Sequence, residues 1–178
     1  MPLVELFHEA LDEFLAREYA LVRKNIHEQA LCGRLLRYVE VAKDKRGLHQ
    51  YYVDVEYDRH GDRRKTIYNA RTGEPIHIVC DLLLHSRGEQ KEDNLIAVEM
   101  KKASGKAKDK QTDRERLQAL TTACPEGADP KHVWDYKLGY YLEVDVKSAT
   151  MLIEEYREGK LTQSGTMPFV QPVRSRSD

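Results

Sequence analysis

No segment of this 178-residue chain approaches the roughly 18 consecutive apolar residues that a membrane-spanning helix needs. The opening Met1-Pro2-Leu3-Val4 has neither the positively charged start nor the apolar core of an export signal. These absences predict a cytoplasmic protein with no membrane partner. Cysteine is scarce: Cys32, Cys80 and Cys124 are odd in number, far apart and without a CxxC pair, which argues against a disulfide framework and a thiolate zinc site. Cys32 and Cys80 are expected to be packed, reduced thiols. Neither sign of charge dominates, with Lys+Arg 29 against Asp+Glu 30, so a polyanionic partner would have to be met by a local patch. There is no Gly-rich phosphate loop, which disfavours a small-molecule α/β binding protein. Internal repeats, low-complexity tracts and a helix-turn-helix are also missing.

What is present is an ordinary globular composition, 40% apolar and 33% charged. It predicts one domain over residues 1–160 and an extended or disordered tail over 161–178. Apolar residues recur at helical spacing from Leu3 to about Val41, and Asn25 with Glu28 fits a capping box that would start a helix at Ile26. "KDKRGLHQ" then reads as a polar turn. "YYVDVEYDR" alternates as a half-exposed strand, with Thr66 to Tyr68 as a segment that pairs back. "PIHIVCDLLLHS" and "NLIAVEMK" read as a central hairpin, followed by a flexible basic loop, "SGKAKDKQ". Thr112 and Glu115 suggest a second capping box opening a helix to about Cys124, Leu138 to Val144 a further strand, and Ser148 the cap of a last helix through Tyr156 that stops near Gly159. The fold class is therefore α/β, with one mixed central sheet flanked by helices.

The most apolar strands carry charge. Successive strand residues face opposite sides, so Glu99 and Lys101 share a face with Leu95 and Ala97, while Asp81 shares one with His77, Val79, Leu83 and His85. If the two strands pair, Asp81 and Glu99 meet with Lys101 beside them. Two carboxylates in a desolvated place repel unless a cation lies between them. Hard oxygen ligands suit Mg²⁺ or Mn²⁺, with the Met100 carbonyl and waters completing the shell. A lysine there can orient or deprotonate a water and neutralise charge developing on a phosphate. Glu28, three residues before Leu31 and seven before Leu35, falls on the apolar helix stripe and needs a partner. The bland alternative makes Glu99 and Lys101 an exposed strand face and Glu28 a capping carboxylate only. His77 and His85 are expected to be structural, and Trp134, Tyr136, Tyr140 and Tyr141 to be core or strand residues.

With those residues in view, "NIHEQALCGRLLRYVE", "YYVDVEYDRHG", "IVCDLLLHSRG" and "NLIAVEMKK" resemble successive blocks of the PD-(D/E)xK phosphodiesterase superfamily, the restriction-endonuclease-like nucleases, over about residues 1–158. The likeness is to a group of small bacterial and phage members. It implies an αβββαβ core in which Asp81 and Glu99 bind a divalent metal, Lys101 assists the attacking water, and Glu28 supports the metal or its water. One position departs from the pattern: Cys80 stands where the first motif usually has proline.

The resulting expectation is a Mg²⁺-dependent nuclease acting on DNA, with RNA second. The alternative is a catalytically degenerate nuclease-fold module that binds nucleic acid or a protein partner in a defence or mobile-element system. Lys101 to Arg116 carries an excess of positive charge, so Lys102, Lys106, Lys108 and Lys110 are the candidate phosphate contacts. With no targeting domain, specificity would come from DNA structure or from a partner, either a second copy in a homodimer or another protein.

Overall fold

Apolar side chains three and four residues apart give the first helix, α1 (Leu3–Arg17), one buried stripe formed by Leu6, Phe7, Ala10, Leu11, Phe14 and Leu15. In the computed structural model, residues 3–57, 59–60, 63–64, 66–68, 75–77, 79–128 and 132–169 are described, with backbone alone for 59–60, 63–64, 68 and 75–77. A single turn, α2 (Tyr19–Val22), leads to α3 (Glu28–Lys45), which buries Leu31, Cys32, Leu35, Val39 and Ala42. The expected polar turn at Lys43 is still helix, because Lys43 lies buried between Asp44 at 2.7 Å and Glu40 at 3.3 Å. The expected capping box is not formed. Asn25 adopts a left-handed conformation with φ 55°, His27 is the N-cap, and Glu28 is the first helical residue.

The strands follow as β1 (Tyr52–Tyr57), β2 (Arg59–His60), β3 (Arg63–Arg64), β4 (Thr66–Tyr68), β5 (Pro75–His77), β6 (Cys80–His85) and β7 (Asn94–Lys102). After α4 (Ala107–Thr121) come β8 (Leu138–Asp145), β9 (Thr150–Arg157) and β10 (Lys160–Pro168). Six strands form one mixed sheet in the order β1-β6-β7-β8-β9-β10. Its neighbours are antiparallel except β7 and β8, which run parallel, and α4 supplies the crossover that a parallel pair needs. The segment from Thr66 does pair back, but onto Pro75–His77 in a separate two-stranded sheet. "PIHIVCDLLLHS" therefore makes two strands and not one.

Both faces of the central strands are covered. Ile96, Val98, Met100, Tyr140 and Leu142 meet α1 and α3 in the larger core, where the Phe7 ring stacks on Tyr140 with centroids 4.0 Å apart. Leu83, Ala97, Tyr141 and Tyr156 meet Leu117 and Leu120 of α4 in the smaller one. Leu95, expected beside Ala97, packs into the larger core, near where the β6–β7 ladder shifts register. Cys32 and Cys80 are buried, as expected, and Tyr136, Tyr140 and Tyr141 are core residues. Among the described residues no helix is long and apolar enough to cross a membrane.

Near the end of the chain one expected element is overturned and another is paired. The last helix, Ser148 through Tyr156, is strand β9. Asp145 Oδ1 accepts the backbone N–H groups of Lys147 and Ser148, which closes a hairpin turn where a helix cap was expected. The stretch from 161, expected to be an extended or disordered tail, is extended and pairs along β9 as β10 as far as Pro168, while 170–178 lie outside the described residues. Gly159 is a turn glycine and not a helix stop: Glu158 and Gly159 both have positive φ, the signature of a tight primed hairpin.

An ion-pair knot fastens β1 to the loop after β6. Asp54 accepts hydrogen bonds from His85 Nε2 at 3.0 Å and from Arg87 Nε at 2.8 Å. Burial works to raise the Asp54 carboxyl, but the bonds from His85 and Arg87 outweigh it and hold the group far below the usual carboxylate range. An acid depressed in the fold stabilises it above the ordinary value and loses that contribution as pH falls toward the folded value. Asp54→Asn should therefore cost about 2–4 kcal/mol at pH 7 and distinctly less at pH 3. Urea denaturation at both pH values checks this, and an equal penalty at both would refute the assignment.

Candidate active site

Asp81 lies where the central hairpin opens. The β6–β7 ladder starts at Leu82↔Val98, one residue beyond Asp81, and the Asp81 side chain takes over there: Oδ2 accepts the Met100 backbone N–H at 2.7 Å. Alternation then puts Glu99 and Lys101 on the α4 side of β7, while Met100 points into the larger core, where Cys32 Sγ lies 3.8 Å from its Sδ. Glu28 reaches the same place from the start of α3. Its Oε1 accepts the Lys102 backbone N–H at 2.8 Å, a link between helix and strand and not a cap.

Two residues that sequence reasoning did not assign complete the site. The helix α4 begins at Ala107, not at Thr112, whose hydroxyl donates to the Lys108 carbonyl inside the helix, so most of the expected flexible loop is helical. Asp113, Leu117 and Leu120 form its buried stripe, and Arg116 lies one turn along from Asp113. α4 can lie close to the sheet because Gly139 of β8 has no side chain. A Cβ there would stand 3.0 Å from Thr121 Cγ2 and 3.3 Å from Leu117 Cδ2. The missed signal was the spacing itself, for Asp113 is four residues before Leu117 and seven before Leu120.

Together these side chains line an open cleft of about 520 Å³. Lys101 Nζ is 3.2 Å from Asp113 Oδ2, 3.8 Å from Glu28 Oε2 and 3.9 Å from Asp81 Oδ2. Arg116 Nη1 donates to Glu99 Oε1 at 2.8 Å and to Asp113 Oδ1 at 3.2 Å. Glu99 is fully buried, and its Oε2 has no hydrogen-bond partner among the described residues. Burial pushes the Glu99 carboxyl up to about 8, with Asp81 and Asp113 adding to the rise and Arg116 opposing it. Burial also raises Asp113, against Lys101 and Arg116. For Lys101 burial works the other way, but Asp81, Asp113 and Glu28 prevail and keep the ammonium above its ordinary value, hence charged at neutral pH.

The four expected site residues thus share one cleft, but they do not form a ready coordination sphere. Among the described residues no three carboxylate, imidazole or thiol groups stand together as metal ligands, and Lys101 and Arg116 contact the acids instead. Of the candidate phosphate contacts, Lys106 and Lys108 are exposed, Lys106 at the cleft itself. Lys102 donates to the Asn25 carbonyl at 3.0 Å, and Lys110 is committed to the Ala103 carbonyl at 2.7 Å and to Glu143 at 3.0 Å. His85 serves Asp54, and the side chain of His77 lies outside the described residues.

Compared with protein-family models, curated proteins and solved structures, the chain matches none. Function has to follow from the chemistry of the cleft. Its lining holds five carboxylates, Glu28, Asp81, Glu99, Asp109 and Asp113, against three cations, Lys101, Lys106 and Arg116. All of the acids are hard oxygen donors, and one buried oxygen, Glu99 Oε2, has lone pairs with no donor. In donor type and charge this lining fits a divalent cation such as Mg²⁺ or Mn²⁺.

Proposed function

We propose that this chain is a Mg²⁺-dependent nuclease that hydrolyses phosphodiester bonds of DNA, with RNA as the second choice of substrate, on a restriction-endonuclease-like αβββαβ core. The observation that carries the reading is the buried Glu99, with an unpartnered oxygen, beside Asp81 and a charged Lys101 in an open cleft. The order α3, β1, β6, β7, α4, β8, with β7 and β8 parallel, supports the core assignment.

Asp81, Glu99 and the Met100 carbonyl would hold Mg²⁺ or Mn²⁺, with Glu28 supporting them. The ion, when bound, would supply Lewis acidity toward a phosphate oxygen and a water. The chain does the rest. Lys101 is held as an ammonium by its carboxylate neighbours, so it orients the attacking water and neutralises charge gathering on the phosphate, and it does not remove the proton. Lys106 at the cleft and the exposed Lys108 would meet backbone phosphates.

One observation favours a second reading. Arg116 already pairs with Glu99 and Asp113, as a degenerate module that binds nucleic acid or a protein partner would tolerate. Incubating the wild type with supercoiled plasmid, linear duplex, single-stranded DNA and RNA, in Mg²⁺, Mn²⁺ or EDTA, separates the two. The expected result is metal-dependent cleavage of DNA that EDTA suppresses. No cleavage of any substrate, with no metal response in thermal melts, would leave the binding module.

A further inference from the structure

Arg116 is not a surface arginine that happens to lie near the cleft. Its side chain is largely buried, and it donates from one nitrogen, Nη1, to two buried acids at once, Glu99 on the strand and Asp113 on its own helix. Its neighbour on the same helix shows the contrast. Arg114 is fully occupied, gripping both oxygens of Glu154 at 2.7 and 3.0 Å with its guanidinium 4.0 Å from the centre of the Tyr141 ring, so that end of the contact is fixed structure. Arg116 covers only half of Glu99. Oε1 takes its bond, while Oε2, equally buried, has no hydrogen-bond partner among the described residues. Leaving a carboxylate oxygen buried and bare costs free energy, so the pairing is incomplete as a permanent arrangement.

We infer that Arg116 is a resident counter-ion for Glu99 that a divalent cation displaces, the guanidinium giving up Glu99 while Asp113 retains it. This rests on the metal-dependent reading of the cleft. The physics is a competition of two cations for one carboxylate in a low-dielectric place, where a unit charge is felt strongly. The guanidinium spares Glu99 from repelling Asp81 and Asp113 when no metal is bound, and it weakens metal binding by the same interaction. Arg116 therefore sets the metal concentration at which the site fills. Acting through Glu99, it is a positioning residue.

The test is calorimetric titration of Mn²⁺ and Mg²⁺ into metal-free wild type, Arg116→Gln and Arg116→Lys. Removing the charge with Gln should tighten Mn²⁺ binding about tenfold, and restoring it with Lys should return the affinity to within about threefold of wild type. A purely structural Arg116 predicts the reverse for Arg116→Gln, because a loosened site binds metal less well. Equal or weaker binding by Arg116→Gln overturns the counter-ion role while leaving the nuclease reading intact, provided the wild type binds metal. If neither protein binds metal, both readings fall. Should Arg116→Gln not fold, ¹⁵N-arginine-labelled wild type gives the same decision: the Arg116 guanidinium resonance, assigned with Arg116→Lys, must shift as Mg²⁺ is added, and an unmoved resonance overturns the inference.

Discussion

Asp81→Asn should leave the chain folded and remove cleavage, by at least about a thousandfold, or roughly 4 kcal/mol of transition-state stabilisation. The isosteric change is informative because Asp81 has two separable jobs. Its Oδ2 accepts the Met100 N–H at 2.7 Å and so closes the backbone where the β6–β7 ladder ends, and an asparagine carbonyl can accept the same bond. Its negative charge, facing Lys101 at 3.9 Å, is the part that ligation and catalysis need, and asparagine lacks it. The thermal midpoint without metal should therefore stay near that of the wild type, while the increase on adding Mg²⁺ disappears along with activity. Retention of metal-dependent cleavage within tenfold of wild type would remove Asp81 from the site.

The part of this site legible in the sequence was the part written in strand alternation. A two-residue period placed Glu99 and Lys101 on one face of β7 and Asp81 on the facing strand without knowledge of how the sheet assembles, because a half-buried strand leaves only two faces to choose from. The helix stripe located Glu28 equally well but mistook its task. A glutamate three residues after an asparagine reads locally as a capping box, whereas its actual partner, the Lys102 N–H, is 74 residues away and invisible to local rules. Asp113 obeys the same stripe rule, but the run around it is so rich in charge that it reads as solvated surface. Only the close approach of α4 at Gly139 turns that run inward.

The strand β9, where a last helix is expected, has a related cause. Ser148 offers a plausible cap, and "MLIEEY" is too short and too irregular to separate helix from strand by period. Pairing of β9 with β8 on one side and β10 on the other decides it, together with the Asp145 turn. Tertiary pairing of that kind overrides local propensity. The consequence reaches the site, because β9 carries Glu154, the anchor for Arg114, and so fixes the helix on which Asp113 and Arg116 are presented.

Glu99→Gln is expected to make the metal-free protein more stable at pH 8 than the wild type, and the difference should shrink toward pH 5. Burial, reinforced by Asp81 and Asp113, raises the Glu99 carboxyl from 4.5 to about 8 against the pull of Arg116. A carboxyl raised in the fold binds its proton more tightly there than in the unfolded chain. Its effect is thus absent below the unfolded value, and stability is lost progressively as pH climbs from about 4.5 to about 8. At about 1.4 kcal/mol per pH unit within that window, the wild type should give up roughly 3 kcal/mol between pH 5 and pH 8, or about 6–12 °C in Tm for a chain of this size. Glutamine has the same shape, can still accept a bond from Arg116 Nη1, and carries no charge to bury, so its curve lacks this decline. Subtracting the two curves cancels the titrating groups that are not coupled to Glu99. Adding Mg²⁺ at pH 8 should restore the wild type and leave Glu99→Gln unchanged, because the ion relieves the repulsion that glutamine has already removed. Parallel Tm curves for the two proteins across pH 5 to 8, measured by differential scanning calorimetry in EDTA, would mean that Glu99 is fully satisfied by Arg116 and is not a charge held in reserve for a metal.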